Sequence, residues 1–429
     1  MAAIFLAALI LWVTEALPIA VTALLVLILQ PVFGVADLQA AFTNFVSPVF
    51  FFVLVMFFIA QSFVAAGLDR RFALWLLSRA GTDARRVVLA FMAGAGLLST
   101  IISDVPCCAI FMAIALGLFE KMGLQPGRSQ FAKAVMMGIP IASLIGGVGT
   151  PAGSSINVLG IFFIERYGKL RVPFLHWMAI GIPMVVVLVP LAAWILTRFF
   201  RPEMKTIGNY SEIQGERARL GPMTSKEWKV VGILGTMIVL WISSTWIRQL
   251  DVVLVGIAGA AAMCLPGMNL LTWKQMERAT AWEGLLLIGG VTSLGAATVK
   301  TGLAQWLVDV SIGGIHDWNV VWIIAVICAF TVVVHLVLPI APVINAVLIP
   351  PITLLAASTG HSPALFGLPV AFTASCAFLL PLDAVPLVTY GKGYYRMLDM
   401  FLPGAIISIC WVVLLTALLV LLGPALGIL

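Results

Sequence analysis

The sequence predicts an all-α polytopic membrane protein made of two inverted repeats, each with five transmembrane helices and one re-entrant helical hairpin. Three observations carry this. The 429 residues are 62% hydrophobic and only 10% charged, with a mean hydropathy of +1.13, whereas soluble domains hold about 25% charged residues. Long apolar runs recur in one order before and after a polar segment at 201–229. Each half also contains two apolar runs broken in the middle, the pattern of transporters built from repeats. A soluble fold cannot hide so much apolar surface. A cytoplasmic enzyme, a nucleic-acid binder and a disordered chain are therefore excluded. The net charge of +6 is read as a topology signal, with the lipid bilayer as partner and no nucleic acid.

The first repeat covers 1–200. Spans 2–16 and 18–35 are separated by Glu15 and Pro18, and a third span, 46–67, precedes an amphipathic stretch at 68–80. A hairpin at about 86–119 is interrupted by Ser103-Asp104-Val105-Pro106, and a broken helix at about 131–163 by the run from Gly146 to Pro151. The stretch 174–200 is a clean span. A cytoplasmic linker at 201–229 leads to the second repeat, 230–429, with spans 230–247, 251–268 and 282–301 and the stretch 302–315. Its hairpin, about 318–357, breaks at Pro339-Ile340-Ala341-Pro342. Its broken helix, about 366–396, is expected to be interrupted from Pro381 to Gly393, and 399–427 closes the chain.

Five crossings per half make the halves antiparallel. With the N-terminus outside, 19 of the 24 basic residues fall on the cytoplasmic side. Arg166, Lys169, Arg171, Arg248 and Lys300 are left outside, and the positive-inside rule favours this orientation. The six cysteines form no ligand pattern and read as packing residues.

Charge within a bilayer is costly, so embedded acids are functional candidates. Asp104 lies at the break of the first hairpin and Asp383 in the last broken helix. Each is a candidate to hold a proton or a sodium ion, or to cap a helix. Ser103 and Gly149 join them as cation or proton candidates. Glu15, beside Pro18, reads as a structural hydrogen-bonding acid near an interface, and Glu283 as an interfacial acid. Half-helix N-termini at the breaks suit a carboxylate. Substrate-binding candidates are Ser103, Val105, Thr150, Ser154, Ser155, Asn157, Pro342, Asn345, Thr389 and Lys392, the last as a cation facing an anion. His335 reads as a packing residue, and His176, His316 and His361 as loop or interface residues. No catalytic residue and no bound cofactor other than sodium is expected.

Four segments carry a family resemblance. Trp12-Val13-Thr14-Glu15-Ala16-Leu17-Pro18 resembles the opening of the divalent anion/sodium symporter family, the INDY-type carriers. Gly147-Val148-Gly149-Thr150-Pro151-Ala152-Gly153-Ser154-Ser155-Ile156-Asn157 is similar to that family's G-x-G-T-x-x-G-[ST]-P-P-N loop. Trp282-Glu283-Gly284-Leu285-Leu286-Leu287-Ile288-Gly289-Gly290 resembles its W-E-x-L-L-L-F-G-G segment. Ser375 to Pro381 and Tyr390 to Tyr394 resemble its final broken helix. The resemblance implies a homodimeric elevator carrier of small dianions, most simply C4 dicarboxylates, in a cell membrane such as the bacterial inner membrane. It also implies a span ahead of the Trp12 segment, at which this sequence begins.

Two departures stand out. The family carries Ser-Asn-Thr at both hairpin tips, where this chain has Ser103-Asp104-Val105 and Ile340-Ala341-Pro342. Asp383 also stands in the final loop, so each family sodium position retains one acid. Cation symport, with sodium or protons, and anion exchange are all open on this reading. The alternatives are a cation/proton antiporter and, from another class, an intramembrane aspartyl protease using Asp104 and Asp383 as its dyad. A protease needs neither paired hairpins nor the glycine-rich loop.

Overall fold

The computed structural model describes residues 1–207, 210–247, 249–312, 318–358 and 360–427. Arg248, His316 and the end of the 302–315 stretch lie outside the described residues. The first half runs α1 (Ala2–Thr14), α2 (Ile19–Val32), α3 (Leu38–Phe45), α4 (Pro48–Ala66), α5 (Leu68–Ala80), α6 (Ala84–Ser99), α7 (Asp104–Lys121), α8 (Gln130–Gly147), α9 (Ser155–Gly168) and α10 (Phe174–Phe199). A linker helix, α11 (Tyr210–Arg219), follows. The second half runs α12 (Ser225–Ser243), α13 (Val252–Cys264), α14 (Trp273–Ala279), α15 (Trp282–Lys300), α16 (Leu303–Ile312), α17 (Val320–Val337), α18 (Ala341–Ser358), α19 (Pro363–Thr373), α20 (Ala384–Tyr390) and α21 (Phe401–Leu422). Element by element, the second list repeats the first.

Local chemistry sets most boundaries. Glu15, with φ of 49°, ends α1 in the left-handed region, and Pro18 caps α2. At 13 residues, α1 is about 20 Å long, short of a hydrocarbon core of about 30 Å. Among the described residues, six helices are long and apolar enough to cross a membrane unaided.

Five features depart from expectation. Helices α3, α11 and α14 fall in segments read as connections. Asp37 caps α3 by accepting from the Ala40 amide at 2.6 Å, which is why that short polar-flanked stretch coils. A capping box of Thr224 and Glu227 starts α12 five residues earlier than its apolar run suggests. In the last broken helix the interruption lies at 374–383, because 384–390 is helical. Asp383 accepts from the Val385 amide at 3.1 Å, and Pro386 is tolerated in the first turn, where its missing N–H costs nothing.

Packing brings the halves together reciprocally. Helix α2 packs on α15, and α13 on α4. In each half the first hairpin arm packs on the first part of its own broken helix, α6 on α8 and α17 on α19. The second arm crosses to the other half, α7 to α20 and α18 to α9. The α6–α8 contact is backbone-close: a Cβ at Gly146 would lie 2.0 Å from the Gly96 carbonyl.

Candidate functional site

Four helices begin at the breaks: α7 at Asp104, α9 at Ser155, α18 at Ala341 and α20 at Ala384. Each start leaves backbone N–H groups without helical partners and carries the positive end of a helix dipole. What occupies these ends differs. Asp104 is the first residue of α7 and Asp383 the N-cap of α20, so two ends already hold a carboxylate. Ser154 caps α9 as a neutral hydroxyl. At the start of α18, Ile340, Ala341 and Pro342 have no polar side chain to offer.

The first break is densely bonded. Asp104 is 4% exposed. Its Oδ1 accepts from the Val105 amide at 3.0 Å and the Ser103 hydroxyl at 3.2 Å. Its Oδ2 accepts from the Ser154 hydroxyl at 3.2 Å, which ties the hairpin to α9. The Thr150 hydroxyl donates to the Thr100 carbonyl at 2.6 Å and accepts from the Gly153 amide at 3.1 Å. Asn157 donates to the Gly147 and Thr150 carbonyls at 2.7 and 2.8 Å. Its Oδ1 is buried and receives no donor. Gly149 is set by close approach, since a Cβ there would lie 2.8 Å from Thr100 Cγ2. Gly153 is tighter still, with the Gly147 carbonyl at 2.5 Å from such an atom.

The second break is sparser. Asp383 is 7% exposed, and its carboxylate lies within electrostatic reach of both Asp104 and His335. The His335 imidazole bonds the Ala374 carbonyl at 2.9 Å. Asn345 is fully buried and donates to the Ile156 carbonyl at 2.9 Å, while its Oδ1 has no partner.

Among the residues singled out from the sequence, the structure gathers Ser103, Asp104, Thr150, Ser154 and Asn157 into one bonded cluster. Gly149 packs against it, and Asn345 joins α18 to α9. Val105 is 37% exposed, and Ser155 and Pro342 are half-buried. Thr389 is instead buried against Tyr395, whose hydroxyl lies 3.1 Å away. Lys392 is not brought to the breaks. It is exposed in the turn beyond α20, seven helical residues from Asp383, where a solvated ammonium avoids the cost of desolvation. Glu15 and Glu283 are exposed. Ser99, Cys108 and Tyr395 were not anticipated, because small or singly polar side chains in apolar runs give no periodic signal. His335 is buried and bonded to the Ala374 carbonyl, which fits its reading as a satisfied packing residue. Ser99, like it, stands shortly before a hairpin tip, and that place is the signal available.

Among the described residues the regular elements are helices, and broken helices meet in the interior, the architecture of a membrane transporter. The family model for the sodium:sulfate symporter transmembrane region matches residues 1–429, and the chain belongs to that family. It is 29% identical over 450 residues to a sodium-dependent dicarboxylate transporter, SdcS, of Staphylococcus saprophyticus, covering 97% of this chain and 85% of that one. The SdcS of Staphylococcus aureus is 27% identical over 440 residues, covering 96% and 82%. Among solved structures, MtrF of Neisseria gonorrhoeae, described with a class of antimetabolite efflux pumps, matches with a TM-score of 0.56 at 12% identity, covering 91% of this chain and 84% of that one. That likeness is one of fold.

Proposed function

We propose that this chain carries small dicarboxylates, C4 acids foremost, across a bacterial inner membrane by cation-coupled symport. The observation that carries the reading is the unequal occupation of the four half-helix starts. Two are filled by Asp104 and Asp383 and suit a cation or proton. Two, at α9 and α18, hold no acid and suit a substrate carboxylate. The names of the SdcS relatives support both the substrate class and sodium as the first cation to test. Protons are the alternative, since both acids are titratable where the family's asparagine is not. The reciprocal packing of hairpins and broken helices supports inverted repeats divided at 201–229. An elevator cycle in a homodimer, with both hairpins in the moving part, is the transport mode that the family resemblance implies.

The test is uptake of radiolabelled succinate into proteoliposomes under an inward sodium gradient, an inward proton gradient, or neither. Gradient-driven uptake inhibited by other dicarboxylates is expected. Counterflow of succinate without any gradient effect would replace symport with exchange. Cation fluxes that ignore every dianion would replace the carrier with a cation/proton antiporter.

A further inference from the structure

The two places where a hairpin arm crosses to the other half can be compared residue for residue. Cys108 is the fifth residue of α7, and its thiol donates to the carbonyl of Val385, the second residue of α20, at 3.5 Å. Asn345 is the fifth residue of α18, and its amide donates to the carbonyl of Ile156, the second residue of α9, at 2.9 Å. Both side chains are fully buried. The bonds occupy matching positions but differ in strength. A thiol is a weak donor at long range, and an amide at this distance makes a full hydrogen bond.

The rest of each hairpin sharpens the contrast. The first hairpin is bonded three times to its own half, through Ser99 to the Ser143 carbonyl at 2.7 Å, Thr150 to the Thr100 carbonyl, and Ser154 to Asp104. Across to α20 it has the thiol. The second hairpin is bonded to its own half through His335 and across to α9 through Asn345. The seam between α9 and α18 is therefore closed by a strong bond. The seam between α7 and α20, which carries both acids, is closed by a weak one.

We propose that Cys108 and Asn345 are paired positioning residues that set the stiffness of these two seams, and that the α7–α20 seam is the one that parts in each transport cycle. This rests on the carrier reading above, with α9 and α18 holding the substrate. A weak donor at position 108 lets α7 leave the Val385 carbonyl without stranding a strong hydrogen-bond partner in the protein interior. A strong donor at position 345 keeps α18 on α9 while the other seam moves. Asn345 Oδ1, buried and unpartnered, is then the residual cost of having an amide there.

The experiment exchanges the donors. Asparagine is close to cysteine in volume, so Cys108→Asn brings an amide within reach of the Val385 carbonyl. Its Vmax for succinate counterflow should fall by about two- to tenfold, the range one net hydrogen bond spans, with KM within about twofold of the parent and melting temperature preserved. Asn345→Cys should do the reverse, raising KM several-fold with Vmax retained. Normal Vmax in a normally melting Cys108→Asn protein, or the two effects interchanged, would overturn the proposal. Backbone hydrogen exchange on the unmodified protein supplies a readout without transport or substitution. The amides of Ala384, Val385 and Leu387 should exchange faster than those of 155–158, and equal or slower exchange counts against the loose seam even if Cys108→Asn fails to fold. If the unmodified protein ignores succinate while the exchange difference stands, the carrier reading has failed and the unequal seams have not.

Discussion

The first hairpin is fastened at its tip by side chains, whereas the second is fastened away from its tip. Around Asp104, hydroxyls from Ser103 and Ser154 and the hydroxyl of Thr150 on the Thr100 carbonyl form a continuous polar joint. Around Ile340 to Pro342 there is no side-chain donor or acceptor, and the fastening bonds come from His335 and Asn345 on the arms. The difference teaches that one architecture can be stabilised in two ways. A polar joint at the tip can coordinate a charge directly. An apolar tip held by its arms can only present backbone N–H groups and the dipole of α18. The acid that the second half does have sits on its broken helix, at Asp383, and lies within electrostatic reach of Asp104 across the halves. The sequence suggests one acid per half at separate cation positions. The structure keeps one acid in each half, at the N-terminal ends of α7 and α20, which pack together.

The largest expected effect separates the two tips by charge. Asp104→Asn restores the residue usual in the family and keeps a group able to bond Ser154. Gradient-driven succinate uptake should drop by about tenfold or more, while counterflow persists, because an amide cannot carry a proton and holds a cation less strongly than a carboxylate. If uptake under every gradient is unchanged, Asp104 is only the first-turn acid of α7.

The next effect tests how tightly each hairpin is set on its own half. Gly146→Ala places a Cβ 2.0 Å from the Gly96 carbonyl, a backbone atom that cannot step aside. A loss of about 1–3 kcal/mol of stability is expected, as for overpacking elsewhere, read as a lower melting temperature in detergent. Gly117→Ala on α7 meets nothing within 4 Å and should leave melting unchanged. Equal behaviour of the two variants would show that the α6–α8 contact yields.

A smaller effect is expected at the linker helix. There Glu216 of α11 joins Lys121 of α7 at 2.7 Å and Arg70 of α5 at 3.3 Å. The Lys121 hydrogen bond, aided by Arg70, holds the Glu216 carboxyl below the usual glutamate range. A depressed acid stabilises the fold above its unfolded pKa and loses that contribution as the pH falls through its folded value. Glu216→Gln should therefore flatten part of the acid limb of the pH–stability curve. At neutral pH it should cost under about 1 kcal/mol, since these side chains are substantially exposed. High salt should mimic the substitution.

The smallest effect concerns Lys392. Exposed and remote from the breaks, it should tolerate Lys392→Gln with KM for succinate unchanged within about twofold. A large rise in KM would return it to the substrate path.

The sequence by itself determined the membrane class, the doubled order of elements and three of the four breaks, because hydropathy and embedded Gly, Pro and Asp are local properties. It also singled out Asp104, Ser154 and Asn157, since polar residues at membrane depth stand out against an apolar background. It misplaced the last break. There Asp383 and Pro386 read as interruption, although an N-cap followed by a first-turn proline is how a helix starts. It passed over α11 and α14, whose polar composition resembles a loop until Glu216 is seen in contact with Arg70 and Lys121, and Thr272 with Gln275. Only the tertiary structure decided which residues of one half meet the other. Cys108 meets Val385 across a sequence separation of 277, and Asn345 meets Ile156 across one of 189. Hydrophobic burial fixes that each arm must be covered but is non-directional. The choice of partner depends on packing shape at Gly96, Gly146 and Gly160, and on which carbonyl a single donor can reach.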